Sequence, residues 1–445
     1  MELRRADESS LIDAVKTAIA DRREELFAFL SGYVQHASVN PRLTRDEAAV
    51  EAVGACQRWL ADTLRGFGCF DTVDEVAVDP RQPNIVAVRR GSGGGRSLFF
   101  NGHSDVVPVT PEQAAAWREE APFSGAVADG WVWGRGASDM KGGNAAFFWA
   151  IKVLHDLGVR LAGDVYATAV IGEETGDREL GIGAVMDRCK LPRHGIIAEA
   201  TDMDIAPATM GEFYFRIEVQ GKSCSLGQRH RAIYPTPYGS EIPGVNAIEL
   251  MARIQRQLAE LERDWGLHRK HPLMEPGNMS INLSQIRGGE TYSAMAETCE
   301  LVGSVLYAPD LTFEEVSGEL RRAVDLVAQA DTWLRAHPPR VTIPHFIAQK
   351  PPNNLPPDHP LCVALEHAWR QVLPGRPRYT CPGSATNDGN YMVERGYETV
   401  TFGTRGYGIH GTDERVRCDD LADVAQIYAL TMLQWCSPSG GGARV

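Results

Sequence analysis

An α/β fold with a mostly parallel sheet, interrupted by an inserted α+β domain, is what this sequence predicts, and three observations predict it. Short apolar runs alternate with stretches of helical spacing through the first two hundred or so positions. Around Met210-Gly211 the pattern changes to long, half-exposed alternating strands. The Pro-rich run Pro351-Pro-Asn-Asn-Leu-Pro-Pro357 then reads as a return linker, after which the first pattern resumes. The expected division is a first domain in two parts, 1–209 and 349–437, an insertion at 210–348, and a flexible Ser/Gly-rich tail at 438–445.

The elements follow in order. Leu11, Val15, Ile19 and then Leu26, Phe29, Leu30, Val34 fall at helical spacing, and Asp46 opens a further helix through Trp59 and Leu64. Strands are expected at 84–88 and 97–101, a helix at 143–157, a strand at 164–171, a helix at 182–188 and a strand at 195–198. Within the insertion, strands are expected at 213–220, 279–284, 298–307 and 341–347, with helices at 246–265 and 312–336. Gly91-Ser-Gly-Gly-Gly95 lacks the Lys-Ser/Thr ending of a phosphate loop and reads as a surface hairpin. Trp131-Val-Trp133 reads as core packing.

Composition narrows the function classes. The chain has 445 residues, 43% hydrophobic and 23% charged, which suits a globular protein of two or three domains. A formal net charge of -13 argues against an extended nucleic-acid surface. No apolar run reaches the roughly 18 residues of a membrane span, and the charged start Met-Glu-Leu-Arg-Arg is not followed by a signal-peptide core. Nine scattered cysteines without a C-x-x-C pair fit reduced thiols and a cytoplasmic protein.

Five acid or imidazole signals stand out: His103-x-Asp105 at the end of an apolar run, Asp139, the pair Glu173-Glu174, Glu199 and His410. This donor set suits one or two divalent metals, zinc first, with cobalt or manganese compatible. His103, Glu173 and Glu199 each follow an expected strand, and ligands in such sheets collect at strand carboxyl ends. On an extended segment His103 and Asp105 point to one side, so the carboxylate can hold the imidazole by its other nitrogen. Asp139, taken alone, reads as a helix N-cap. Adjacent Glu173 and Glu174 diverge, so one can bind metal while the other acts as general base toward a metal-activated water. Three carboxylate ligands (Asp139, Glu174, Glu199) against two divalent ions leave net positive charge, which lowers the pKa of a bridging water to roughly 7.

The motifs Phe99-Phe-Asn-Gly-His-Ser-Asp-Val-Val-Pro108, Gly134-Arg-Gly-Ala-Ser-Asp-Met-Lys-Gly-Gly143, Gly172-Glu-Glu-Thr-Gly176 and Gly408-Ile-His-Gly-Thr-Asp-Glu414 together span most of the chain. In this order they resemble the co-catalytic zinc hydrolases that include acetylornithine deacetylase, succinyl-diaminopimelate desuccinylase, aminoacylase and bacterial glutamate carboxypeptidase. The resemblance implies metal-dependent hydrolysis of the amide of a small molecule by a catalytic domain carrying two metal ions. It implies that His103 and Glu199 bind one metal, Glu174 and His410 the other, and Asp139 bridges them. Asp105 would orient His103, Glu173 would be the general base, and the insertion would be a lid that also carries a homodimer contact.

The chain departs from that family in the insertion. The family's Gly-Lys-x-x-His reads here Gly221-Lys-Ser-Cys224, and a thiol is a weak donor beside an imidazole. Extra residues that include His230 follow, and His230 is a candidate replacement. A family Arg corresponds to Asn390 in Thr386-Asn387-Asp-Gly-Asn390, so Thr386, Asn387 and Asn390 become candidate substrate contacts. After Gly288-Gly289 the family's Arg that commonly grips a substrate carboxylate is absent, and losing that anchor points to a substrate other than an N-acyl amino acid gripped by a free carboxylate. The alternatives are an amide-forming or acyl-transfer enzyme on the same fold, and a non-catalytic binding protein.

Overall fold

The computed structural model describes residues 8–118, 121–233, 242–344, 349–382 and 386–437. It divides into two compact units whose boundaries fall after Ala208, Asn354, Pro382 and Thr386. In chain order the strands of the two main sheets are β1 (Thr72–Val76), β2 (Asn84–Arg89), β3 (Leu98–His103), β4 (Val165–Val170), β5 (His194–Ile197), β6 (Gly211–Gln220), β7 (Ser280–Gly288), β8 (Thr298–Tyr307), β9 (Arg340–Thr342) and β10 (Glu398–Thr401).

The first unit is built on a sheet of order β1-β2-β4-β3-β5-β10. β4, β3, β5 and β10 pair in parallel, while β2 joins β4 and β1 joins β2 antiparallel. Every residue of the central strand β3 is buried, as expected where helices cover both faces. The helices Gly142–Asp156 and Cys418–Trp435 pack together, and Phe147, Phe148, Trp149, Ile427 and Tyr428 are all buried. The all-round apolar character of these helices is that of core helices.

The second unit is an antiparallel sheet of order β7-β8-β6-β9 with the helices Ala247–His268 and Phe313–Ala330 packed together beside it. β6 and β8 alternate between buried and more exposed positions, the pattern of a sheet covered on one face.

Four sequence expectations change here. β1 was not anticipated. The hairpin expected at Gly91–Gly95 is absent because β2 and β3 are not neighbours: both flank β4, and the loop between them bonds instead to Leu161 and Ala162. The helix expected over 312–336 is two helices, Phe313–Ala330 and Thr332–Ala336. They break at Asp331, whose extended backbone lets its carboxylate accept from Trp333 N and Leu334 N. The strand expected at 341–347 is represented by Arg340–Thr342, and 345–348 lie outside the described residues, as does the 438–445 tail. Trp133 is buried and Trp131 half-buried, and the Arg415 guanidinium stacks 4.8 Å from each ring.

Candidate metal centre

Three adjacent parallel strands bring the first unit's acid and imidazole groups to one rim. His103 is the last residue of β3. Glu173 and Glu174 follow β4 after a left-handed Gly172 (φ 83°), and Glu199 lies two residues beyond β5. Because β4, β3 and β5 run side by side in one direction, their carboxyl ends coincide, where open α/β sheets hold ligands. Asp139 sits in the turn Ala137–Lys141 that enters the helix Gly142–Asp156, and His410 stands on the loop after β10 in the left-handed region (φ 58°).

The donor atoms interlock. His103 Nε2 is 3.2 Å from Asp139 Oδ1 and 3.4 Å from Glu199 Oε1. His410 Nε2 is 3.1 Å from Asp139 Oδ2 and 3.1 Å from Glu174 Oε2. Asp139 therefore turns one oxygen to each imidazole, the arrangement of a bridging carboxylate and not of a helix cap. Ligand atoms of His103, Asp139 and Glu174, and of His103, Glu173 and Glu199, fall within 4.8 Å of one another. Glu173 Oε2 is 4.0 Å from His103 Nε2.

His103 Nδ1 is held differently from the sequence expectation. Its closest contact is the main-chain carbonyl of Asp105 at 2.8 Å, with the carboxylate Oδ1 at 3.8 Å. The chain bends after β3, so the same-side rule for extended residues no longer applies. Asp105 Oδ2 accepts instead from Asn40 Nδ2 at 2.7 Å and Glu174 N at 3.3 Å, tying the His103 segment to the Glu174 turn.

Sequence reasoning missed the groups that brace this rim. Glu414 is fully buried, its Oε1 accepts from the backbone N–H of both Ser138 and Asp139, and its Oε2 pairs with buried Arg135. Arg135 also donates to Gly411 O at 3.0 Å, so one ion pair joins the Asp139 turn to the His410 loop. Lys141 is buried and donates to Tyr33 O and His36 O. Glu414 and Arg135 lay within the quoted motifs, whereas nothing local distinguished Asn40.

The donor set fits cations. Burial pushes the Glu199 carboxyl up to about 8 and that of Glu174 up to about 7, with the negative charge of Asp139 adding to each. Burial works against a charged His103, yet the charge of Glu199 and the bond to Asp139 outweigh it and raise its pKa. Hydrogen bonds to Asp139 and Glu174 raise His410 to about 10. Burial raises Asp139 too, but its bonds to His103 and His410 outweigh that and hold it low, so two of the three carboxylates bind protons near neutrality, and divalent cations supply the same compensation.

None of the remaining site candidates is among the grouped metal-ligand atoms. Asn387 Oδ1 accepts from Gly389 N, Asn387 Nδ2 donates to Thr401 Oγ1, and Asn390 Oδ1 accepts from Asn387 N, closing a capping box. Both residues are buried and serve as the cap of the helix Asp388–Val393. Thr386 belongs to the second unit, where it donates to Glu212 and accepts from Lys350. Cys224 and His230 are also in the second unit: the half-buried thiol contacts Met295 Sδ at 3.2 Å, and His230 is exposed on the short helix Arg229–Ile233.

A parallel sheet with an inserted α+β unit, and a carboxylate–imidazole cluster bridged by one aspartate on its carboxyl rim, define a metal-dependent amidohydrolase. Residues 99–434 match Peptidase family M20/M25/M40, and the chain belongs to that family. It is 29% identical over 439 residues to N-formyl-4-amino-5-aminomethyl-2-methylpyrimidine deformylase of Bacillus subtilis strain 168, covering 96% of this chain and 98% of that protein. It is also 29% identical over 384 residues to succinyl-diaminopimelate desuccinylase of Methylobacterium radiotolerans, covering 83% and 88%. Among solved structures, aminopeptidase PepT of Bacillus cereus superposes with a TM-score of 0.67 at 17% identity over 92% of this chain and 98% of that one, a likeness of fold.

Proposed function

We propose that the enzyme hydrolyses a short N-acyl amide, of the formyl class, on an amine that carries no carboxylate. The observation that carries this reading is the buried capping role of Asn390, the neutral residue found where the resemblance places an Arg, together with the absence after Gly288-Gly289 of the Arg that in the family commonly grips a substrate carboxylate. The full-length likeness to a deformylase of an aminomethyl-pyrimidine points the same way.

His103 and Glu199 would hold one ion, Glu174 and His410 the other, with Asp139 between them. Bound there, two divalent ions, zinc first, supply a polarised acyl oxygen and a more acidic water. Glu173 takes the proton of the attacking water on its carboxylate. It then delivers that proton to the departing nitrogen, so the carbon–nitrogen bond breaks to give a carboxylic acid and a neutral amine, and the acid's remaining proton passes on to leave carboxylate and ammonium. Asn40 fixes Asp105, Asp105 holds the His103 ring through its carbonyl, and the Arg135–Glu414 pair holds Asp139 and the His410 loop at a constant spacing.

Two further readings complete the proposal. Among the described residues no helix is long and apolar enough to cross a membrane, in keeping with a cytoplasmic enzyme. A homodimer through the inserted unit is supported by β7, an edge strand with Leu283 and Ile286 exposed.

The test is formate release from N-formyl-4-amino-5-aminomethyl-2-methylpyrimidine against succinate release from N-succinyl-diaminopimelate, with zinc-loaded protein. The expected result is a higher kcat/KM for the formyl amide. Faster turnover of the carboxylate-rich succinyl substrate would sink the reading.

A further inference from the structure

A second group of metal-ligand side chains lies at the amino ends of the strands, away from the carboxyl-end rim. His194 opens β5 and Glu398 opens β10, and the two are directly paired across that parallel ladder. His359 precedes the helix Pro360–Val372. Their atoms converge on one carboxylate oxygen: Glu398 Oε2 is 2.9 Å from His194 Nε2 and 3.3 Å from His359 Nε2. The three ligand atoms lie within 4.8 Å of one another.

We propose that His194, His359 and Glu398 form a separate site for one zinc-class divalent ion, which staples β5, β10 and the helix after His359 together. A zinc tetrahedron with bonds of about 2.0–2.1 Å has edges of roughly 3.3 Å, close to these separations before any adjustment. Two imidazoles and one carboxylate leave a fourth position for water, and side-chain exposures of 26%, 13% and 25% give solvent and metal a way in.

The charge states suit a ligand set. Burial lowers the His194 pKa, keeping the ring neutral. Burial raises the Glu398 carboxyl, but its pairing with Arg193 more than offsets this and keeps it ionised. Arg193 occupies the other oxygen, Oε1, and leaves Oε2 facing the imidazoles. One opposing term exists. His359 Nδ1 accepts a 3.3 Å bond from Leu361 N, and with metal on Nε2 the neutral ring carries its proton on Nδ1. The cap is then released to water at a helix end.

The experiment counts zinc on the full-length protein after zinc loading and dialysis, by elemental analysis, in the wild type, His194→Gln and His359→Asn. Asn is itself a favoured N-cap, so His359→Asn removes the ligand and keeps the helix start. Each variant is expected to hold one zinc fewer than the wild type, with unchanged amide hydrolysis and a smaller zinc-induced rise in Tm. Equal zinc content in all three proteins would overturn the proposal and leave the trio a hydrogen-bonded cluster. The comparison is a difference of one ion, so it holds whatever the occupancy of the carboxyl-end centre.

Discussion

Glu173 and Glu174 are neighbours whose chemistry is expected to separate under substitution. Glu173→Gln removes a proton carrier but no proposed ligand, so kcat should fall about 10²–10⁴-fold with metal content unchanged. Parallel rate and metal assays check this, and loss of metal alongside rate would reassign Glu173 as a ligand. Glu414→Ala acts through the frame. It strands the Arg135 charge in a buried position and frees two backbone N–H groups, so unfolding free energy should drop by about 3–5 kcal/mol in a denaturant titration. The carboxylate–imidazole cluster was legible in the sequence because His103, Glu173 and Glu199 follow expected strands, while Asp139, which alone reads as a cap, and His410 sit in motifs that resemble the family's. Asn40 and the Arg135–Glu414 pair were not assigned because their meaning lies in contacts between segments far apart in the chain.

The element that holds the rim together is the helix Gly142–Asp156, which enters the core just after Asp139. A Cβ built on Gly143 would lie 2.0 Å from the carbonyl oxygen of Ala198, the residue before Glu199. That contact is with backbone, which cannot swing aside. Gly143→Ala should therefore cost about 1–3 kcal/mol of stability and displace the Glu199 segment, read as a lower Tm together with weaker zinc retention. Hydrophobic periodicity located most helices and strands of this unit up to residue 198 within a few residues, because burial demands it, but it missed β1 and assigned no element after residue 357. It could not give strand order. Gly91–Gly95 looked like a hairpin because β2 and β3 are consecutive in sequence, yet β4 lies between them in the sheet. The break at Asp331 was hidden for a related reason: apolar spacing continues across it, while the cap that ends one helix and begins the next depends on one backbone conformation.

At the scale of the whole molecule, the exposed β7 edge has to be accounted for. From Asn282 to Gly288 every residue of this strand is exposed, Leu283 at 36% and Ile286 at 49%, and Ile248 on the neighbouring helix is 42% exposed. An edge strand presents a row of unpaired backbone groups, and proteins that remain monomeric usually blunt such an edge with charge or proline. In β7 the only charge is Arg287. A second copy of the chain, adding its own β7 to this edge, would pair those groups and cover the apolar side chains about a twofold axis. The wild type is accordingly expected to sediment as a dimer, and a Leu283→Lys/Ile286→Lys double variant as a monomer. Both positions are solvent-facing within one chain, so intrinsic stability should change by only about 0.5 kcal/mol per site. That separates loss of association from loss of fold: a monomeric, fully folded variant supports the edge as the interface. A wild type that sediments as a monomer, or a variant that stays dimeric, places association elsewhere.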